Sequence, residues 1–264
     1  MNQQETSTTD SAARGGSAPR TLVLVPTYNE ASGIETLLDR ALAADPTINI
    51  LIIDDGSPDG TGEIADGRAV DNNRIEVLHR SSKQGLGKAY VAGFKLGLER
   101  GFDLLIEMDA DLSHDPAALP EIIAASGEAD LVIGSRYTKG GAVEGWSRGR
   151  HLLSRTANLY SQTLLGFPIR DSTSGFRCYR REVLEFLDLD RASSEGYAFQ
   201  IEMAYLTWKN GFRVKEVPIV FRERSTGQSK MSRNIVVEGV KWVTRTGLKN
   251  LPHRLRRRPS RPAS

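Results

Sequence analysis

A single cysteine, Cys178, stands in 264 residues. No disulfide can form within the chain, and a zinc site built on several cysteines is excluded. Long apolar runs are missing too, since nothing approaches the roughly 18 consecutive apolar residues that cross a bilayer. Residues 1–20 carry no apolar stretch of the secretory kind, so the expected location is cytoplasmic. Several nucleotide and hydrolase signatures are also absent. No G-x-x-x-x-G-K-[ST] occurs, which excludes a P-loop, and no Gly-x-Gly-x-x-Gly follows the first strand candidate, which disfavours a dinucleotide-binding domain. Neither Gly-x-Ser-x-Gly nor His-Glu-x-x-His appears. Finally, residues 241–264 hold no Asp or Glu but eight Lys/Arg; the whole chain is at +2, so without those eight the rest stands at −6. A basic tail on an acidic body suits a polyanionic surface, anionic lipid or nucleic acid, and equally suits a solvated terminus kept soluble by charge.

What is present is globular. Hydrophobic residues make up 39% and charged residues 26% of a 29.0 kDa chain, enough for one sizeable core with short appendages. Short apolar runs at Thr21–Val25, Ile48–Ile53, Ile75–Leu78, Leu104–Glu107 and Leu131–Gly134 read as strands. Helical spacing marks Ser32–Ala44, with a Ser32/Glu35 capping box, Gly85–Arg100, and Pro116–Ala125 opened by Asp115. Later, Ser147–Leu165, Gly196–Asn210 and Asn234–Leu251 read as helices and Phe212–Phe221 as a strand. The alternation predicts a largely parallel three-layer α/β sheet, with ligands at the carboxyl ends of its strands.

Those ends are unusually polar. The first strand runs into Pro26-Thr27-Tyr28-Asn29-Glu30, the second into Asp54-Asp55-Gly56-Ser57-Pro58-Asp59, and the fourth into Asp109-Ala110-Asp111. Residues two apart on an extended chain face the same way, so Asp109 and Asp111 can converge on one Mg²⁺ or Mn²⁺ whose remaining positions go to phosphate and water. One such Asp alone reads as a turn or cap residue; three clusters ending three strands of one sheet carry the case. The Lys83–Lys88 turn reads first as a structural helix entry and second as a phosphate contact, and Gly93-x-x-x-Gly97 reads as close packing on the sheet.

The stretches PTYNE (26–30), DDGSPDGT (54–61), GLGKAY (85–90), DADLSH (109–114), GSRY (134–137), DSTSGFR (171–177) and GYAFQIEM (196–203) together resemble the polyprenyl-phosphate mannosyltransferases, the dolichol-phosphate-mannose synthase type within glycosyltransferase family 2. The resemblance spans residues 20 to 232. It implies a GT-A-like (Rossmann-like) single α/β domain over 21–232, a mostly parallel sheet flanked by helices. Around it lie a flexible leader (1–20), an amphipathic helix (233–251) and a basic disordered tail (252–264). It also implies inverting transfer of mannose from GDP-mannose to a polyprenyl monophosphate, with UDP-glucose as the alternative donor.

By that resemblance, Pro26, Tyr28, Glu30, Ile53 and Asp55 hold the guanosine; Asp109, Ala110 and Asp111 form the metal–diphosphate motif; and Arg136 lies near the reacting phosphates. Arg224 and Lys230 sit on a loop closing over the diphosphate, and Arg150 and Ser154, with Arg136, receive the acceptor phosphate. Some relatives carry a metal-ligating Gln where Ser113 stands, so its role is open. The residues themselves agree with this picture in one respect. Arg150 and Ser154 are i, i+4 on a predicted helix, with Asn158 one turn on, and arginine offers a planar fork to phosphate oxygens. A solvated row formed with Arg148 and Arg155 is the other reading. Gln200 and Glu202 can reach the site or orient its arginines.

A hydroxyl acceptor needs a carboxylate base, whereas a phosphate monoester, with a second pKa near about 6, is already largely dianionic. The Gln-x-x-Arg-Trp signature of processive synthases is absent, in line with a phosphate acceptor. A lipid acceptor calls for membrane contact. Val236, Val240 and Val243, with Trp242 and the basic run, read as an interfacial helix with an electrostatic anchor at the cytoplasmic face. A helix packed on the core and docking to a separate membrane protein are the other readings. The basic residues lack interleaved aromatics, which argues against nucleic acid.

Overall fold

The computed structural model describes residues 18–191, 196–223 and 233–250. Its elements run β1 (Thr21–Thr27), α1 (Ile34–Ala44), β2 (Ile48–Asp54), α2 (Thr61–Asp71), β3 (Ile75–His79), α3 (Leu86–Glu99) and β4 (Leu104–Glu107). After a 3-10 turn at Pro116–Ala118 come α4 (Leu119–Ala125), β5 (Leu131–Ser135), β6 (Ala142–Glu144), α5 (Arg148–Leu165), β7 (Arg177–Arg180) and α6 (Arg181–Phe186). The described chain ends with α7 (Gly196–Lys209), β8 (Val214–Pro218), β9 (Val220–Arg222) and α8 (Arg233–Asn250). The expected leader falls mostly, and the basic tail wholly, outside the described residues.

Among the described residues the main sheet has seven strands in the order β3-β2-β1-β4-β7-β5-β8. All neighbours are parallel except β7, which runs against both β4 and β5. Strand order turns back at β1, with β2 on one side and β4 on the other, so the crevice at their carboxyl ends is the natural ligand position. Both faces of the sheet are covered. Leu22, Leu24, Leu51 and Ile53 face Tyr90 and Phe94 of α3 and Phe199 of α7; Val23, Val25, Ile50 and Ile52 face Ile34 and Leu37 of α1 and Ile122 of α4. This two-residue alternation, apolar on both sides, is why these strands read as continuous apolar runs.

The Gly93 and Gly97 positions are contact points. A Cβ at Gly93 would meet Ile53 Cδ1 at 2.6 Å, and one at Gly97 would meet Leu105 Cδ2 at 2.5 Å, so only glycine lets α3 lie this close to the sheet.

Several expectations need correction. The Ser32/Glu35 capping box does not form: α1 begins at Ile34 with Gly33 at its N-cap and no side-chain cap. The Glu30 carbonyl instead accepts the Gly33 and Ile34 N–H groups, because the chain leaves β1 through Asn29 at φ 59° and the turn is set there. The single strand expected at Phe212–Phe221 is two: β8 ends at Pro218, and β9 pairs with β6 in a separate two-stranded ribbon. The elements α2, β6, β7 and α6 were not anticipated. No described helix is long and apolar enough to cross a membrane.

Candidate active site

The carboxyl ends of β1, β2, β4 and β5 open into a cavity of about 420 Å³. Two loops build its first wall, and the hydroxyls and most of the acids of the DDGSPDGT stretch serve as stitching between them. Asp54 accepts from the Thr27 and Ser57 hydroxyls at 3.0 and 2.5 Å and from the Ser57 N–H. Asp59 accepts from the Ala31 N–H, and the Ser57 and Thr61 hydroxyls accept from the N–H groups of Asn29 and Glu30. Of these acids only Asp55 lines the cavity. Burial raises its carboxyl, against the pull of Arg80 at 2.5 Å. Lys83, assigned to a structural turn from sequence, lines the cavity too, with Nζ 4.3 Å from the centre of the Tyr28 ring.

Asp109 and Asp111 lie just beyond β4, and both line the cavity. Their turn is held from within. His114 is buried, stacks on Phe176 with ring centres 5.1 Å apart, and its Nδ1 accepts the Asp109 N–H at 3.1 Å. Asp111 Oδ1 accepts the Ser113 N–H across Leu112, which sits at φ 61°. Ser113 is buried beside the two acids, and its Oγ has no hydrogen-bond partner among the described residues. Two carboxylates and an unsatisfied hydroxyl are hard oxygen donors, a set that fits Mg²⁺ or Mn²⁺. No group of three or more His, Cys, Asp or Glu side chains able to hold an ion occurs among the described residues. An ion here therefore depends on oxygens brought by substrate and water. Glu107, two residues before Asp109, is fully buried; burial pushes its carboxyl up to about 8, against the pull of Arg177 facing it on β7.

Arg136 closes the cavity at the end of β5. Its Nε and Nη2 bind Asp171 at 2.8 and 2.6 Å, and Nη2 also reaches Thr173 Oγ1 at 2.8 Å. The DSTSGFR loop that supplies these partners is fixed at every polar position. Asn158 accepts from the Ser172 N–H and donates to Thr173, Ser174 donates to the Gly134 carbonyl, and Arg177 donates to the carbonyls of Ser172, Ser174 and Gln200. The polar run is thus a buried scaffold for one arginine, and Asn158 belongs to that scaffold.

Beside this cavity lies a second, of about 330 Å³, between α5, α7 and α8. Leu153, Ala157, Tyr160, Ile201, Val240 and Val243 give it apolar walls. The two cavities share Arg136, Arg150, Thr173 and Tyr197. Arg150, on the first turn of α5 capped by Ser147, lies 4.3 Å from the Trp146 ring centre and donates to Glu223 at 2.5 Å. Ser154 accepts from the Tyr137 hydroxyl at 2.7 Å.

The structure brings Pro26, Tyr28, Glu30, Asp55, Asp109, Ala110, Asp111, Arg136 and Arg150 to the first cavity, and Ser154 to the second. Ile53 does not line either; its side chain is fully buried against α3. Ile53 is the next-to-last residue of a strand covered on both faces and its side chain meets the covering helix, so only the Ile53 backbone, whose carbonyl accepts from Thr27 at 3.5 Å, adjoins the site. Gln200 lines the cavity, whereas Glu202 does not. Arg224 and Lys230 lie outside the described residues. Asp171, Thr173 and Tyr197 were not singled out from sequence. Asp171 and Thr173 sit in a quoted motif, yet nothing in their spacing pairs them with Arg136 35 and 37 residues earlier.

Residues 22–187 match the model for Glycosyl transferase family 2, and the chain belongs to that family. Two relatives are much alike. One is a polyprenol monophosphomannose synthase of Mycolicibacterium smegmatis, 50% identical over 239 residues that cover 90% of each chain. The other is an undecaprenyl-phosphate mannosyltransferase of Micrococcus luteus, 49% identical over 229 residues covering 87% of this chain and 94% of the relative. Among solved structures, glucosyl-3-phosphoglycerate synthase of Mycobacterium tuberculosis with Mn²⁺, UDP-glucose and phosphoglyceric acid superposes with a TM-score of 0.62 at 20% identity. The match covers 85% of this chain and 80% of that one and bears on the fold.

Proposed function

We propose that this protein transfers mannose from GDP-mannose to the phosphate of a polyprenyl monophosphate, with inversion at the anomeric carbon and with Mg²⁺ or Mn²⁺ as cofactor. The observation that carries this reading is the junction of the two cavities. A polar chamber with a carboxylate pair adjoins an apolar groove, and Arg136, Arg150, Thr173 and Tyr197 belong to both. A ligand anionic at one end and hydrocarbon at the other fits such a junction, and the two mannosyltransferase relatives are named for substrates of that kind.

In this mechanism the donor lies along Pro26, Tyr28, Glu30 and Asp55, and its diphosphate faces Asp109 and Asp111. Asp109 and Asp111 would hold a divalent ion, which when bound would supply Lewis-acid stabilisation of the departing diphosphate. Arg224 and Lys230 add cationic charge to the same group. The acceptor phosphate is held by Arg150 and Ser154, with Arg136 at its inner edge, and needs no base because it is already largely dianionic above its second pKa near about 6. A phosphate oxygen attacks the anomeric carbon, that carbon's bond to the donor β-phosphate oxygen breaks, and the electron pair leaves with GDP. The product is a polyprenyl phosphomannose. Catalysis here is placement and charge stabilisation. The lipid brings the enzyme to the cytoplasmic face of a membrane, with α8 and the basic tail as the first candidates for contact.

The test is transfer from each sugar nucleotide in turn. Turnover with GDP-mannose supports the reading; turnover confined to UDP-glucose overturns the donor assignment.

A further inference from the structure

One indole touches both arginines assigned to the acceptor. The ring centre of Trp146 lies 4.3 Å from Arg150 Cζ and 5.4 Å from Arg136 Cζ. We propose that Trp146 is a binding residue for the acceptor phosphate: its ring braces the two guanidinium groups, and its indole N–H is a donor held for a phosphate oxygen. The role rests on the polyprenyl phosphate reading and adds a residue to it.

The bracing follows from what surrounds each arginine. Asp171 and Thr173 take Nε and Nη2 of Arg136. Three rings stand about the same guanidinium, those of Tyr137, Trp146 and Phe221, with centres 5.4, 5.4 and 5.5 Å from Cζ. Nη1 is what remains for a ligand. Two cations near one another repel, and an aromatic face shared by both offsets part of that cost until an anion arrives. Trp146 is itself fixed edge-on against Phe221, at 5.4 Å and 66°, and against His151, at 6.5 Å and 78°. The chain reaches it from β6 through Gly145, at φ 87°, where a Cβ would meet Glu223 Cβ at 2.9 Å. Trp146 therefore stands next to the Arg150–Glu223 pair.

Packing does not account for the indole N–H. Nε1 is shielded from solvent and has no hydrogen-bond partner among the described residues. A buried indole N–H ordinarily finds an acceptor, and leaving one unpaired is costly. Trp146 lines the apolar groove together with Arg136, Arg150 and Ser154, so the acceptor that suits it is an oxygen of the group those arginines bind. A phosphate that takes Arg150 from Glu223 brings such oxygens to the indole. The indole is also a neutral donor. It orients an oxygen while drawing off less of the negative charge needed for attack than a third cation would.

The experiment uses Trp146→Phe, which keeps an aromatic ring beside the arginines and removes the N–H. With a short, water-soluble polyprenyl phosphate, its KM should rise roughly 10-fold, with kcat and the donor KM within about twofold of the parent. Trp146→Leu, which removes the brace as well, should lose kcat in addition. A second readout needs no turnover. The chain holds three tryptophans, and 5-fluorotryptophan labelling gives each a fluorine resonance, the Phe variant identifying that of Trp146. That resonance should move on addition of the polyprenyl phosphate and stay in place with the corresponding alcohol. A Phe variant with the parental KM, or a resonance unmoved at a saturating concentration of the phosphate, overturns the proposal and leaves the functional reading standing if mannose is still transferred. A resonance that moves in a protein that transfers no sugar supports the site and counts against the functional reading alone. A parent that binds the alcohol as tightly as the phosphate overturns both.

Discussion

Arg136 and Asp171 form a buried bidentate pair: Nη2 and Nε meet the two carboxylate oxygens at 2.6 and 2.8 Å, and the Arg136 N–H adds a third bond at 2.8 Å. Neither side chain is more than 4% exposed. The pair fixes the arginine on the boundary between the two cavities, and its energetics can be read by acid.

Burial alone would lift the Asp171 carboxyl, but the charge and hydrogen bonds of Arg136 outweigh it and hold the carboxyl below its ordinary value. A carboxyl depressed in the folded state contributes stability that is fully present above its unfolded pKa, near about 3.9, and is lost as pH falls through the folded value. Asp171→Asn leaves a buried arginine without its counter-charge and should cost about 3–5 kcal/mol at neutral pH. Urea denaturation should also show the difference between parent and variant shrinking below about pH 4. A variant as stable as the parent at neutral pH contradicts this account of the pair.

Arg150 is bound to Glu223 at the place assigned to the acceptor phosphate. Carboxylate and phosphate compete for one guanidinium, so Glu223→Gln should lower the KM for the lipid severalfold. Arg150→Ala should raise that KM by roughly 10-fold or more, as expected for a hydrogen bond to a charged group, with the donor KM little changed. Steady-state kinetics with each substrate varied in turn checks both. An effect of Arg150→Ala confined to the donor KM would refute the placement.

Asp111 should be indispensable to transfer. Asp111→Ala removes one of two carboxylates in a set that has no third acid to replace it among the described residues, and activity should fall about 100- to 1000-fold, the range for loss of a charge-stabilising group. Chelator should silence the parent, and Mg²⁺ or Mn²⁺ should restore it. Calorimetric titration of metal into parent and variant, in the presence of GDP, separates lost binding from lost chemistry.

Gly93→Ala tests the packing of α3 on the sheet. Its Cβ would stand 2.6 Å from Ile53 Cδ1 and 3.0 Å from Leu24 Cδ2 in a filled core, an overpacking that costs about 1–3 kcal/mol. Thermal denaturation reads it, and because β2 leads directly into Asp55, GDP affinity should weaken in parallel.

The parallel half of the sheet was legible because strands covered on both faces write themselves as unbroken apolar runs; Leu104–Glu107 is a strand at the expected bounds, and β1, β2, β3 and β5 each extend one or two residues further. Apart from Pro26, the extra residues are polar ones, Thr27, Asp54, His79 and Ser135, where the ladder continues past the core. β7 was hidden because Arg177 and Arg180 break the apolar pattern, and the antiparallel pairing that buries Arg177 opposite Glu107 has no local signature. α2 carries Glu63, Asp66, Gly67 and Arg68 and little apolar periodicity. The site followed the same logic. Asp55, Asp109 and Asp111 announce themselves by ending strands, whereas Asp171 and Asn158 act through partners distant in sequence. The apolar groove could not be read at all, since its walls come from three helices that only the fold brings together.

The most direct measurement is transfer of labelled mannose from GDP-mannose into an organic-extractable product, with purified protein, a polyprenyl phosphate, and either divalent metal or chelator. The account predicts label in the lipid phase with Mg²⁺ or Mn²⁺ and none with chelator. Metal-supported label from UDP-glucose and none from GDP-mannose would contradict the donor, and label that persists undiminished in chelator would contradict the role given to Asp109 and Asp111.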